Sequence, residues 1–219
     1  VPRKPALEPG NAAVALKKPT LPPTADAGAP PHADLAALTA ALASPEGGER
    51  RRAARELGAF PEAGPLLCAH LGREPAASVR AVILTTLIRL KSPAVVEGLL
   101  PLLRSEDSGL RNAAIEALQE MPDEVEPHVA DLLADPDSDV RILTVNMLSL
   151  LPHPKAPDWL AEVVAHDPHI NVCAAAVDGL AEIGNERAVA PLQALAARFP
   201  EVPFIRFAAA AAIRRIGGA

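Results

Sequence analysis

From Asp34 onward the apolar residues recur in a block of about thirty residues. With Arg50, Arg80, Arg111, Arg141, Cys173 and Arg206 set in register, the intervals between them are 30, 31, 30, 32 and 33 residues. Four places after these anchors stand Ala54, Leu84, Ile115, Val145, Val177 and Ala210. Seven places after stand Leu57, Leu87, Leu118, Leu148, Leu180 and Ile213, and ten places after stand Phe60, Leu90, Met121, Leu151, Ile183 and Ile216. Offsets of four, seven and ten share one face of an α-helix, so each anchor opens an amphipathic helix. Leu87, Leu118, Leu148 and Leu180 are its expected core residues. Offset three holds Ala53, Ile83, Ala114, Thr144, Ala176 and Ala209, mostly small side chains that permit close helix approach.

Another amphipathic stretch precedes each of these helices, as in SPAVVEGLLPLLRS and KAPDWLAEVVAHD. Pro65, Pro127, Pro157 and Pro191 fall near the starts of such stretches, where the missing N–H has no helical partner to lose. Pro101 lies deeper in its stretch and is expected to bend it. Arg73-Glu74-Pro75, Ser105 to Gly109 and Asp135 to Asp139 separate the paired helices, and their Asp and Ser side chains are placed to cap the second one. No strand period competes. A repeat of two helices and short turns predicts an all-α chain, an α-solenoid of about six antiparallel helix pairs.

The columns and the Asp137-Ser138-Asp139-Val140-Arg141 segment resemble HEAT repeats, in particular the short HEAT-like repeats of bilin-lyase relatives. The resemblance spans about residues 34–217. It implies the fold and leaves the function open, because such repeats serve many tasks. The recurring Arg has a structural reading: a guanidinium at the start of the second helix bonds to carbonyls or Asp side chains of neighbouring turns and ties adjacent units. Cys173 interrupts that column and is expected to cost the fourth-to-fifth junction one tie.

Residues 1–33 follow a different rule. Pro and Ala dominate, no helical or strand period is visible, and repeated prolines favour extended polyproline II backbone. An extended Pro/Ala-rich tail or tether over 1–33 and a solenoid over 34–219 is the expected division. The tail carries +2 and leaves −8 to the body, out of a net −6. It reads either as a disordered tether or as a segment that docks on a partner, on its own body or on a neighbouring copy. The start at Val1 and the 16 Arg against 5 Lys fit a processed bacterial protein, with periplasm or cell envelope favoured over cytoplasm.

Composition then narrows the chemistry. Aromatics make up 2%, with no Tyr and one Trp, which removes the stacking platforms that bases require. The acidic body argues against nucleic acid as a partner. No apolar run reaches the ~18 residues that would span a bilayer. Cys68 and Cys173 sit in apolar segments, lack nearby ligands and read as small core hydrophobes. HEAT-like iron hydroxylases carry His-Glu pairs, and none of the six histidines here precedes Glu. His166-Asp167-Pro168-His169 groups potential ligands, yet Asp-Pro between helices reads as a solvated turn. HEAT-like DNA glycosylases need a basic face with aromatics, and Trp159 is expected on the outer layer. Gly-x-Ser-x-Gly elbows, phosphate loops and spaced Cys–His pairs are also missing. The expectation is a non-enzyme without metal or cofactor.

A solenoid offers one extended concave surface, normally lined by the second helices. Five places after the anchors stand Arg55, Thr85, Glu116, Asn146, Asp178 and Ala211, five of them polar. This stripe runs from basic, reinforced by Arg51 and Arg52, to acidic, reinforced by Glu120 and Glu182. Such grading sets the direction of an extended peptide or partner helix. The Arg50-Arg51-Arg52 run with Arg55 also reads as a charged cap on the first repeat. The expected function is a protein-binding scaffold or adaptor, a subunit of a larger bacterial assembly. Arg51, Arg55, Thr85, Glu116, Asn146 and Asp178 are the candidate partner-binding residues. An enzyme or a bilin-lyase-like pigment-handling protein on the same solenoid is the alternative.

Overall fold

A computed structural model describes residues 34–218; the expectations for residues 1–33 lie outside the described residues. Six antiparallel pairs follow in order. They are α1 (Leu35–Ala41) with α2 (Gly47–Glu56), α3 (Gly64–Leu71) with α4 (Ala77–Leu90), and α5 (Pro93–Leu99) with α6 (Ser108–Gln119). Next come α7 (Pro122–Val125) and α8 (Val129–Leu133), which together face α9 (Ser138–Leu150). The last pairs are α10 (Ala156–His166) with α11 (Ile170–Ile183) and α12 (Val189–Arg198) with α13 (Pro203–Ile216). No strand occurs among the described residues.

Proline shapes the first helices as their chemistry requires. Pro65, Pro93 and Pro157 occupy the first turns of α3, α5 and α10, where no backbone hydrogen bond is lost. Pro101 ends α5 at Leu99 and turns the chain into a 3-10 segment, Leu100–Arg104. Pro127 likewise splits the fourth first-helix into α7 and α8 around a 3-10 turn, Glu126–His128. A ring without an N–H cannot continue the α ladder in mid-helix, so the expected bend takes the form of a tightened turn.

The second helices stack in sequence, α2 on α4, α4 on α6, α6 on α9, α9 on α11 and α11 on α13. Leu57, Leu87, Leu118, Leu148 and Leu180 are fully buried at offset seven. The rest of the buried face is shifted from the expected columns. Offset three is buried in all six units, and the residue before the anchor is buried from the second unit on: Val79, Leu110, Val140, Val172 and Ile205. Steps of four residues drift about 40° around a helix, so these positions form the centre of the apolar stripe. Offset four is its edge: Ala54, Val145 and Val177 are buried, Leu84 and Ile115 half-buried, and Ala210 exposed. At offset ten only Met121 and Leu151 are buried. Both cysteines are free and buried.

Candidate functional site

The sequence of the turns explains how one repeat is fastened to the next. Arg50 donates its Nε and Nη2 to the two carboxylate oxygens of Glu74, both at 2.9 Å, and its Nη1 to the carbonyls of Ser44 and Pro45. Arg50 thus holds its own turn and the turn of the following unit at once. Arg80 repeats this between the Glu74 carbonyl and Asp107, and Arg141 between the Asp135 carbonyl and both oxygens of Asp167. Carboxylates of these turns also cap helices, Asp107 accepting from the Leu110 N–H and Asp137 from that of Asp139, while Glu74 accepts from the Ala76 N–H just ahead of α4. Planar forks matched to carboxylates give the strongest of such bonds.

The electrostatics follow. The Arg50 guanidinium, the Ala76 N–H and His70 hold the Glu74 carboxyl down at about 2, against the opposing pull of burial. The Arg80 guanidinium lowers Asp107 in the same way. Lys155, with His153 behind it, lowers Glu126 at the fourth-to-fifth step. Burial pushes the Cys68 thiol up to about 11 and raises Cys173.

Two junctions depart from the pattern, and the sequence did not show how. Asp135 caps its turn by accepting from the Asp137 N–H, as Glu74 and Asp167 do in theirs. Its other oxygen, however, pairs with Arg104 from the preceding 3-10 turn. Arg111 therefore keeps only its bond to the Ser105 carbonyl, and its buried Nε has no partner. The second departure corrects the expectation for Cys173. Because anchors reach forward, the tie missing at Cys173 is the fifth-to-sixth one, and Arg198 of α12 supplies it from the other side. It donates to the carbonyls of Val164, Ala165 and Asp167.

The turn at His166-Asp167-Pro168-His169 is also different from its expected solvated form. Asp167 is buried and committed to Arg141. His166 pairs with Glu162 at 3.2 Å, while the His169 Nδ1 is buried without a partner. A cavity of about 540 Å³ opens beside this turn, but its lining charges are already paired, Arg141 with Asp167, His166 with Glu162 and Asp135 with Arg104. Trp159 is half-buried and stacks on His153 with ring centroids 4.7 Å apart.

The stripe faces solvent. Arg55, Thr85, Glu116, Asn146 and Asp178 are exposed, one on each of α2, α4, α6, α9 and α11, while Ala211 on α13 is half-buried. They share a register because each is one fixed helical rotation from its anchor. The Thr85 hydroxyl donates to the Ala81 carbonyl. Arg51 differs from the other candidates: it is half-buried and donates to the Ser78 hydroxyl at the junction. The basic run is therefore mostly spent internally, with Arg50 on Glu74 and Arg52 3.8 Å from Glu56. At the acidic end Glu182 is paired with Arg215 at 2.7 Å, so Glu116, Glu120 and Asp178 carry the negative charge there. No helix of the described residues is long and apolar enough to cross a membrane.

No curated protein sequence matches the chain. Solved structures similar to it include an engineered protein, 18% identical, covering 84% of this chain and 97% of that one with a TM-score of 0.40. The complex of CpcE and CpcF of phycocyanin lyase from Nostoc sp. is 22% identical, covering 83% of this chain and 82% of that one with a TM-score of 0.36. A designed armadillo repeat protein is 17% identical, covering 84% and 100% with a TM-score of 0.36. The HEAT-repeat family model matches residues 35–119, 64–148, 96–170 and 157–219. With helix pairs stacked through recurring arginine ties over that same span, the chain belongs to the HEAT-repeat family.

Proposed function

We propose that the chain is a non-enzymatic scaffold or adaptor in a larger bacterial assembly, binding protein partners along the concave side of its second helices and through its N-terminal segment. The stripe from Arg55 to Asp178 carries this reading: five exposed polar side chains at one register on five consecutive helices. A stacked helix-pair fold suits protein binding, since it presents a long continuous surface. The grading of the stripe from Arg55 to Asp178 favours one direction for an extended ligand.

The test begins with affinity capture of partners from the native host. Binding of the captured protein is then measured for the double variant R55E/D178K. Weaker binding with an altered salt dependence is expected, while stability stays within about ±0.5 kcal/mol, as for exposed positions generally. Unchanged affinity and salt response would show that the stripe is an ordinary solvated face. Colour, metal or a small molecule bound to the purified protein would favour the pigment-handling alternative.

A further inference from the structure

The exposed side of α9 departs from that of its neighbours. Offset nine from the anchor is exposed in every unit, and Ala59, Arg89, Glu120, Glu182 and Arg215 stand there in the others. In α9 the position holds Leu150, 74% exposed. Offsets one and two hold Ala81-Val82, Asn112-Ala113 and Ala174-Ala175 in the nearest units, but Ile142-Leu143 in α9. Both are half-buried, and with Leu103 and Val140 they form the apolar wall of a cavity of about 420 Å³ between α9 and the turn ahead of α6. Ile142, Asn146 and Leu150 follow at steps of four residues and so lie along one side of the helix. The cavity wall and Leu150 are thus about 12 Å apart, eight residues at a rise of ~1.5 Å. Two apolar points at that separation match side chains seven or eight residues apart on one face of a second helix.

Charge selects what flanks that face. α6 and α11 pack on either side of α9. At the two offsets that α9 fills with Asn146 and Leu150, α6 and its C-cap carry Glu116 and Glu120, and α11 carries Asp178 and Glu182. Glu106 and Asp139 stand at the cavity. All six carboxylates are exposed, and only Glu182 has an ion-pair partner among the described residues, Arg215. The cations of α6, α9 and α11 are Arg111 and Arg141 alone. Arg141 is held by Asp167 and Arg111 by the Ser105 carbonyl, while Arg104 at the cavity is held by Asp135. Carboxylates left without cations around an apolar strip are complementary to a basic ligand with an apolar face.

We infer that α6, α9 and α11 receive a cationic amphipathic helix of a partner protein. Its apolar face sits on Leu150 and in the cavity beside Ile142, with Lys or Arg flanks on Glu116, Glu120 and Asp178. This rests on reading the exposed side of the second helices as the binding side, and it names the partner's chemistry there.

Fluorescence anisotropy of the full chain with three labelled synthetic helices tests it, with circular dichroism confirming that each variant is folded. One helix is built of lysine and leucine with the leucines on one face, one has alanine for leucine, and one has glutamate for lysine. The lysine/leucine helix is expected to bind, the other two at least about tenfold more weakly. L150A and E120K, neither among the six candidate stripe residues, should each weaken that binding about five- to tenfold, through a lost apolar anchor and a reversed flank. Added salt should weaken it further. No binding of the lysine/leucine helix, equal binding of all three, or binding that ignores both L150A and E120K overturns the inference. R55E/D178K judges the graded stripe separately. A captured partner sensitive to that variant, beside lysine/leucine binding unmoved by L150A and E120K, retains the stripe and removes this site.

Discussion

Cys173 and Arg198 meet at a single atom, the carbonyl oxygen of Asp167. The thiol lies 3.3 Å from it, and the guanidinium donates to it while also bonding the carbonyls of Val164 and Ala165. Where the repeat loses its anchor arginine, an arginine from the next unit enters the same turn. Arg198 further lies over the Phe199 ring, 5.2 Å from its centroid.

That arrangement predicts an unequal response to two arginine truncations. R198A leaves several carbonyls without a charged donor and is expected to cost about 1.5–3 kcal/mol. R187A removes a pair with Asp158 whose side chains are 80% and 44% exposed, so its cost should fall within about 0.5 kcal/mol. Urea unfolding of both variants measures the contrast, and equal costs would refute the role given to Arg198.

Glu74 predicts a pH dependence. Its carboxyl is held at about 2 in the folded chain, against about 4.3 when unfolded. A lowered folded value gives stability that is present above the unfolded value and is lost as pH falls from about 4.3 towards 2. The charge contributes on the order of 2–3 kcal/mol at neutral pH. E74Q should therefore unfold more easily than the parent chain at pH 7, with the gap closing towards pH 2. Melting curves across that range decide it; a constant gap would mean that packing, not charge, sets the cost.

Gly179 predicts a steric cycle. A Cβ there would lie 2.9 Å from the Leu160 side chain and against the hydroxyl of Ser149 on α9. G179A should cost about 1–3 kcal/mol through overpacking, although alanine favours the helix more than glycine does. Removing the obstructing hydroxyl in G179A/S149A should recover part of that loss. Additive losses in the double-mutant cycle would contradict the close approach of α9 and α11.

The thiols predict inertness. Cys68 is pushed up to about 11 and Cys173 is raised, both by burial, and the thiolate is the reactive form. Thiol reagents at pH 8 should label neither residue until the chain is unfolded. Rapid labelling of the native protein would show that these helices open readily.

The period of about thirty residues was enough to determine the all-α stack, because apolar columns aligned across six units admit only one helical face. The anchor arginines, the capping turns and the exposed stripe were legible for the same reason: each is a local position repeated at a known helical angle. What the tertiary structure decided lies between units. Asp135 turning to Arg104, Arg198 entering behind Cys173 and Arg51 leaving the stripe for Ser78 all depend on partners 27 to 34 residues away, beyond the reach of helical periodicity. A long charged side chain can satisfy any acceptor within its radius, and sequence spacing does not rank those acceptors. Burial and distance do, and they separate the arginines that fasten the fold from those left exposed to solvent.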